Sequence, residues 1–220
     1  MSLESPLRDG NAPGFGLIET LRWQPGTGFV RLDRHLARLA TSAHALGLDC
    51  DPDRIVLALR ESAGESETPL RVRLLLSAGG RVEISAHPCE LLPAGSVWTV
   101  QVARSRLDSA DPLLRHKTSR RGTYMQARAE YSSAEADEVL LANERGELCE
   151  GTITSLFADF GDGMLATPRL DCGLLAGVLR AEMLEEGRAC EAVFGLDELK
   201  SATALFVGNS LRGLIPARLV

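Results

Sequence analysis

Only two of the 24 basic residues in this 220-residue chain are lysines, Lys117 and Lys200; the rest are arginines. An arginine stays protonated, whereas a lysine can shed its proton in a suitable pocket and bond a carbonyl carbon. A coding bias toward arginine accounts for the scarcity, and it makes each remaining lysine worth weighing. Lys200, in Asp197-Glu198-Leu199-Lys200, stands among carboxylates at a helix end and reads as a solvated charge. Lys117, in Arg115-His116-Lys117-Thr118, is the candidate amine. Glu150 stands 33 residues later in Glu150-Gly151-Thr152-Ile153-Thr154-Ser155, a carboxylate just past a turn. Arg38 stands in Arg34-His35-Leu36-Ala37-Arg38-Leu39, and Gly177-Val178-Leu179 lies at the start of a predicted helix. The first amides of a helix lack partners within it, and its dipole favours an anion there.

The elements that must hold these groups follow from periodicity and turn residues. Residues 15–23 read as a strand ending at the turn cluster Gln24-Pro25-Gly26-Thr27-Gly28, with a short second strand from Phe29. Asp33 is the predicted N-cap of a helix carrying Leu36, Leu39, Ala43 and Leu46 and closed by Gly47. Asp51-Pro52-Asp53 opens a second helix that ends at Gly64. Leu70–Ser77 and Arg81–Ala86 form a hairpin around Gly79-Gly80, and Val97–Ala103 is a further strand. The residues that follow lack periodicity and read as an extended connector. A helix is expected over 119–131, then strands over 139–142, 147–149, 154–160 and 164–166. Helix 177–187, a strand near 189–194, a short helix over 196–201 and a strand over 203–207 complete the pattern. Mixed elements with hairpins dominant predict an α+β fold in two lobes: 1–103, a connector over 104–110, and 111–220. A cleft between lobes is a preferred place for a cofactor.

Composition narrows the function. Hydrophobic residues make up 45% of the chain and the net charge is −6, which is globular and without a basic run longer than Arg120-Arg121. Nucleic-acid binding is not expected. No apolar run reaches the ~18 residues that span a bilayer. The polar, Gly/Pro-rich start lacks the apolar core of a signal peptide, so a soluble, cytoplasmic protein is expected, with the first ~12 residues disordered. The five cysteines, Cys50, Cys89, Cys149, Cys172 and Cys190, are scattered without a C-x-x-C, which argues against a disulfide framework and a zinc site.

Five segments taken together carry a resemblance: GLIETLRW (16–23), RHLARL (34–39), LRHKTSRRGTY (114–124), EVLLANERGELCEGTITSLF (138–157) and GNSLRG (208–213). In this order and spacing the chain resembles the class IV aminotransferase family, the fold-type IV pyridoxal-phosphate (PLP) enzymes, from Phe15 onward. It is most similar to the branch of 4-amino-4-deoxychorismate lyase, including the lyase domain fused to aminodeoxychorismate synthase. The resemblance implies a two-lobed fold with a smaller N-terminal lobe, PLP as cofactor, a small-molecule substrate and a homodimer. It implies that Lys117 is the Schiff-base lysine and proton shuttle, and that Glu150 is the partner of the pyridine nitrogen. Arg38, the amides of Gly177, Val178 and Leu179, and Asn209 or Ser210 are implied to hold the phosphate. Family transaminases often carry Thr where Leu179 stands, so only the backbone amide is available here. The chain starts near the family's second or third strand. Some relatives place a tyrosine five residues after the lysine; here that position is Gly122, and Tyr124 takes no role from the resemblance.

The reaction depends on the substrate pocket. The lyase reading removes pyruvate from a dicarboxylate and leaves 4-aminobenzoate, so arginines are expected near the substrate. Arg22 and Thr20 match a T-x-R segment of lyase relatives on a strand facing the cofactor. The alternative is a branched-chain or D-amino-acid transaminase. The D-amino-acid type uses an Arg-x-His pair that this sequence lacks, and the branched-chain type has its own pattern after the lysine. A non-catalytic member of the family is a second alternative.

Overall fold

The structure, a computed structural model, describes residues 15–220. The expected disorder of the first residues lies outside the described residues. The chain divides into two units, one of residues up to Leu91 together with His116–Arg120, the other of Leu92–Arg115 with Arg121–Val220.

The first unit is built on four strands, β1 (Gly16–Gln24), β2 (Gly28–Phe29), β3 (Leu70–Ser77) and β4 (Arg81–Pro88), in the order β2-β1-β3-β4. Two helices, α1 (Leu32–Leu46) and α2 (Pro52–Ala63), supply Leu39, Ala43, Leu46, Ile55 and Leu59 to its core. Strand alternation sorts the residues by face. On β3, Leu70, Val72, Leu74 and Leu76 are buried, while Arg71 and Arg73 are exposed. On β1, Leu17, Glu19 and Leu21 are buried, and Thr20 and Arg22 occupy the other face, in register with Arg73 and Arg71. The α1 N-cap is Arg31, not the expected Asp33. Arg31 adopts the left-handed conformation (φ 58°), which tightens the entry so that the helix starts at Leu32 and Asp33 falls in its first turn. A carboxylate there still favours the helix dipole. Asp51 caps α2 as expected, accepting from the amides of Asp53 and Arg54.

The second unit is an eight-stranded sheet. In chain order its strands are β5 (Trp98–Leu107), β6 (Glu138–Asn143), β7 (Leu148–Gly151), β8 (Ser155–Asp159), β9 (Leu165–Pro168), β10 (Ala189–Ala192), β11 (Ala204–Asn209) and β12 (Gly213–Leu219). They run β10-β9-β8-β11-β12-β5-β6-β7, and an added pairing of β7 with β8, at Glu150 opposite Ser155, closes six of them into a ring. Val100, Leu140, Ala142, Leu148, Leu156, Val207 and Ile215 pack together in one cluster. Helix α3 (Gly122–Ala129) covers a second cluster with Ala103, Val139, Leu141 and Cys149. Helix α4 (Val178–Glu185) covers a third with Phe157 and Ala189. Every residue of β6 is buried because apolar groups pack on both of its faces. A short helix, α5 (Leu196–Lys200), follows β10.

Two departures from the sequence reading have physical causes. The expected connector over 104–110 begins inside β5, which continues to Leu107, and the strand groups with the second unit. Its pairing with β6 is interrupted between Val102 and Arg106. Across that gap the Glu130 carboxylate accepts from the amides of Arg104 and Ser105 (2.6 and 2.8 Å), and the Arg106 guanidinium donates to the carbonyls of Ala103, Arg104 and Ser105. Polar side chains thereby replace ladder partners, which hides the strand period. Strand β12 has no counterpart in the sequence reading, which ends at the strand over 203–207, and it contains Pro216, a residue without a ladder donor. Its parallel pairing with β5 starts only at Ala217, so the missing N–H falls ahead of the doubly paired stretch. No helix among the described residues is long and apolar enough to cross a membrane.

Candidate active site

Lys117 belongs to the first unit. Its segment lies antiparallel to the start of β1, joined to it by a single bridge that also takes in Ser119, where the helix is expected to begin. The Ile18 amide donates to the Lys117 carbonyl (2.7 Å), Thr118 bridges Leu17, and the Ser119 amide donates to the Gly16 carbonyl (2.8 Å). The Ser119 hydroxyl accepts from the Gly16 amide (3.1 Å), and His116 Nδ1 lies 2.9 Å from the Ser42 hydroxyl of α1. The backbone on both sides of Lys117 is thus fixed, and the half-buried lysine shares its support with the strand that carries Thr20 and Arg22.

Arg38 projects from α1 onto β1. Its Nε and Nη2 donate to the two oxygens of Glu19 (2.8 and 2.6 Å), and His35 Nδ1 lies 2.6 Å from Glu19 Oε2. Glu19 is only 2% exposed. Burial alone would raise its carboxyl pKa, but the charge of Arg38 and hydrogen bonds from His35 and Arg38 outweigh it and hold the value at about 2. Glu19 and His35 had no role in the sequence reading, although their side chains fix the direction of the predicted phosphate arginine.

Glu150 is in the second unit, and a β-bulge sets its direction. Leu141 pairs with Glu150 and Ala142 with Leu148, so Cys149 is an extra residue on β7. Strict alternation would place Glu150 beside Leu148. The bulge instead turns it to the side of Leu141 and α3. There the Tyr124 hydroxyl donates to Glu150 Oε1 (2.7 Å), as does the Leu175 amide (3.1 Å). Arg121 lies over the Tyr124 ring, 4.8 Å from its centroid, and donates to the Thr152 carbonyl. The loop after Glu150 wraps a second carboxylate. Glu138, buried, accepts from the amides of Thr152 (3.0 Å) and Ile153 (3.1 Å) and from the hydroxyls of Thr152 (2.5 Å) and Thr154 (2.9 Å). The two threonines of the E-G-T-x-T pattern therefore serve the loop's shape.

The predicted phosphate donors of this unit surround the start of α4. Gly177 is its N-cap and offers no side-chain cap. A Cβ at Gly177 would come 2.5 Å from the Ser155 hydroxyl, so the approach needs glycine there and a small residue at 155. The side chain of Leu179 is buried against Gly208, where a Cβ would meet it at 2.7 Å; Leu179 can offer only its amide. Asn209 accepts from the amides of Leu211 and Arg212 and donates to the Ile153 carbonyl, so its side chain holds the turn. Ser210, buried, follows it. Within the second unit, an uncapped helix start in a glycine-lined cradle suits an anionic group, and a buried, hydrogen-bonded carboxylate suits a protonated ring nitrogen, the two kinds of group that PLP carries.

Comparison with known proteins agrees. A family model described as amino-transferase class IV matches residues 16–220. A solved structure from Mesorhizobium loti, provisionally named an amino-acid aminotransferase, is 65% identical with a TM-score of 0.92, covering 94% of this chain and 100% of that one. A Schizosaccharomyces pombe protein, provisionally named aminodeoxychorismate lyase, is 30% identical over 82% of this chain and 80% of its own length. A Thermotoga maritima protein named a probable branched-chain-amino-acid aminotransferase is 28% identical over 99% of this chain and 81% of its own length. The chain belongs to the class IV aminotransferase family and is a PLP-dependent enzyme.

Proposed function

We propose that the protein is a 4-amino-4-deoxychorismate lyase, with Lys117 as the amine that bonds the cofactor and moves the proton. Glu150 acts as the acid facing the pyridine nitrogen. Arg38, the amides at the start of α4 and the Asn209-Ser210 turn take the phosphate. PLP, when bound, supplies an electron sink for charge left on the substrate carbon. The Lys117 amine takes the proton from the amine-bearing ring carbon. The bond from the neighbouring ring carbon to the enolpyruvyl oxygen breaks, the departing group gains a proton to become pyruvate, and the ring becomes aromatic.

The observation that carries this reading is the arginine-bearing face of the first sheet. Thr20 and Arg22 on β1 stand opposite Arg73 and Arg71 on β3, three guanidinium groups on one face, suited to a substrate with two carboxylates. The Nε of Arg22 is buried and has no hydrogen-bond partner among the described residues. An aminotransferase is the second reading, favoured by the 65% identity to the Mesorhizobium loti protein. Supplying aminodeoxychorismate without any keto acid separates the two. The lyase releases pyruvate and 4-aminobenzoate in equal amounts; an aminotransferase gives no sustained turnover without an acceptor. Absence of pyruvate would overturn the proposal. The reading includes a homodimer, which sedimentation of the purified enzyme tests.

A further inference from the structure

We propose that Tyr124 is a positioning residue that fixes the Glu150 carboxylate for the ring nitrogen of the cofactor. The inference rests on the role given to Glu150 above. The Tyr124 hydroxyl (2.7 Å) and the Leu175 amide (3.1 Å) both donate to Oε1. Two bonds on one oxygen set the rotation of the carboxylate and therefore the direction of Oε2. Donors to the charged form also favour ionisation over protonation, and a neutral partner at the ring would be a poor anchor for a protonated nitrogen. The tyrosine is itself held: Arg121 stacks on its ring while donating to the Thr152 carbonyl, and the ring packs against the cluster under α3. Burial, followed by the charge of Glu150, pushes the phenol pKa up, so the hydroxyl stays a donor at any pH where the enzyme would work. The bulge at Cys149 is what brings the carboxylate to this donor.

The test uses Tyr124→Phe, which keeps the ring and its stacking, in the full-length protein, alone and combined with Glu150→Ala. Affinity for PLP is measured on the apoprotein by fluorescence quenching, and the absorption spectrum of the bound cofactor is followed against pH. Losing a hydrogen bond to a charged group predicts about a tenfold weaker affinity for Tyr124→Phe. It also predicts a displaced midpoint of the cofactor's colour change. In the Glu150→Ala background the same substitution should change either readout less than about twofold, because its target is gone. An equal loss in both backgrounds would make Tyr124 merely structural and overturn the inference. Should Glu150→Ala itself leave affinity and spectrum as in the wild type, the role of Glu150 fails and the inference with it.

Discussion

Replacing Glu19 by Gln tests how the first unit holds the predicted phosphate arginine. The substitution keeps the shape of the side chain and removes its charge from between Arg38 and His35. A carboxyl brought from its ordinary 4.5 to about 2 by folding contributes about 3 kcal/mol at pH 7. Because the folded value is the depressed one, this stability is fully present above pH 4.5 and is lost as pH falls toward 2; by pH 3 only about 1 kcal/mol remains. The variant also pays a cost independent of pH, since an amide N–H turned toward Arg38 finds no acceptor there. Urea denaturation of both proteins at pH 6 and pH 3 separates the two contributions. The stability gap between wild type and Glu19→Gln should narrow by about 2 kcal/mol between those pH values. A gap of the same size at both would refute the claim that Arg38 and His35 hold Glu19 ionised.

Further predictions concern the second unit. Gly177→Ala should weaken PLP binding measured on the apoprotein, because its Cβ would fall 2.5 Å from the Ser155 hydroxyl; adding Ser155→Gly should restore part of the affinity. Glu138→Gln should lower the free energy of unfolding in urea by about 2–4 kcal/mol, since an amide nitrogen would then face the donors of Thr152, Ile153 and Thr154. If Glu138→Gln unfolds like the wild type, the loop after Glu150 is held by something else.

Much of this architecture can be read from the residues. The hairpin around Gly79-Gly80, the cap at Asp51 and the alternation of Leu70–Ser77 are local patterns, and the structure keeps them. The family could be read because five short motifs occur in order. What could not be read depends on pairing between distant residues. An alternating strand gives no hint that Cys149 is an extra residue, so the side to which Glu150 points is fixed only once β7 is laid against β6. Tyr124 looked unassignable by its spacing from Lys117; its partner lies 26 residues away. The segment after Lys117 lacks a strand period of its own and joins a strand about 100 residues earlier, which delays the start of the expected helix from 119 to Gly122. Glu19 gave no signal because an acid in an apolar strand declares itself only when the arginine and histidine of a helix are packed on it.

The central claim is that the amine at position 117 bonds the cofactor, and the composition of the chain makes that claim unusually easy to test. Reduction of the PLP-loaded enzyme with borohydride, followed by proteolysis and mass spectrometry, has only Lys117 and Lys200 as lysine targets. The account predicts one pyridoxyl group per chain, on the peptide containing Lys117. A label on Lys200, or a yellow protein that yields no labelled Lys117 peptide, would contradict it.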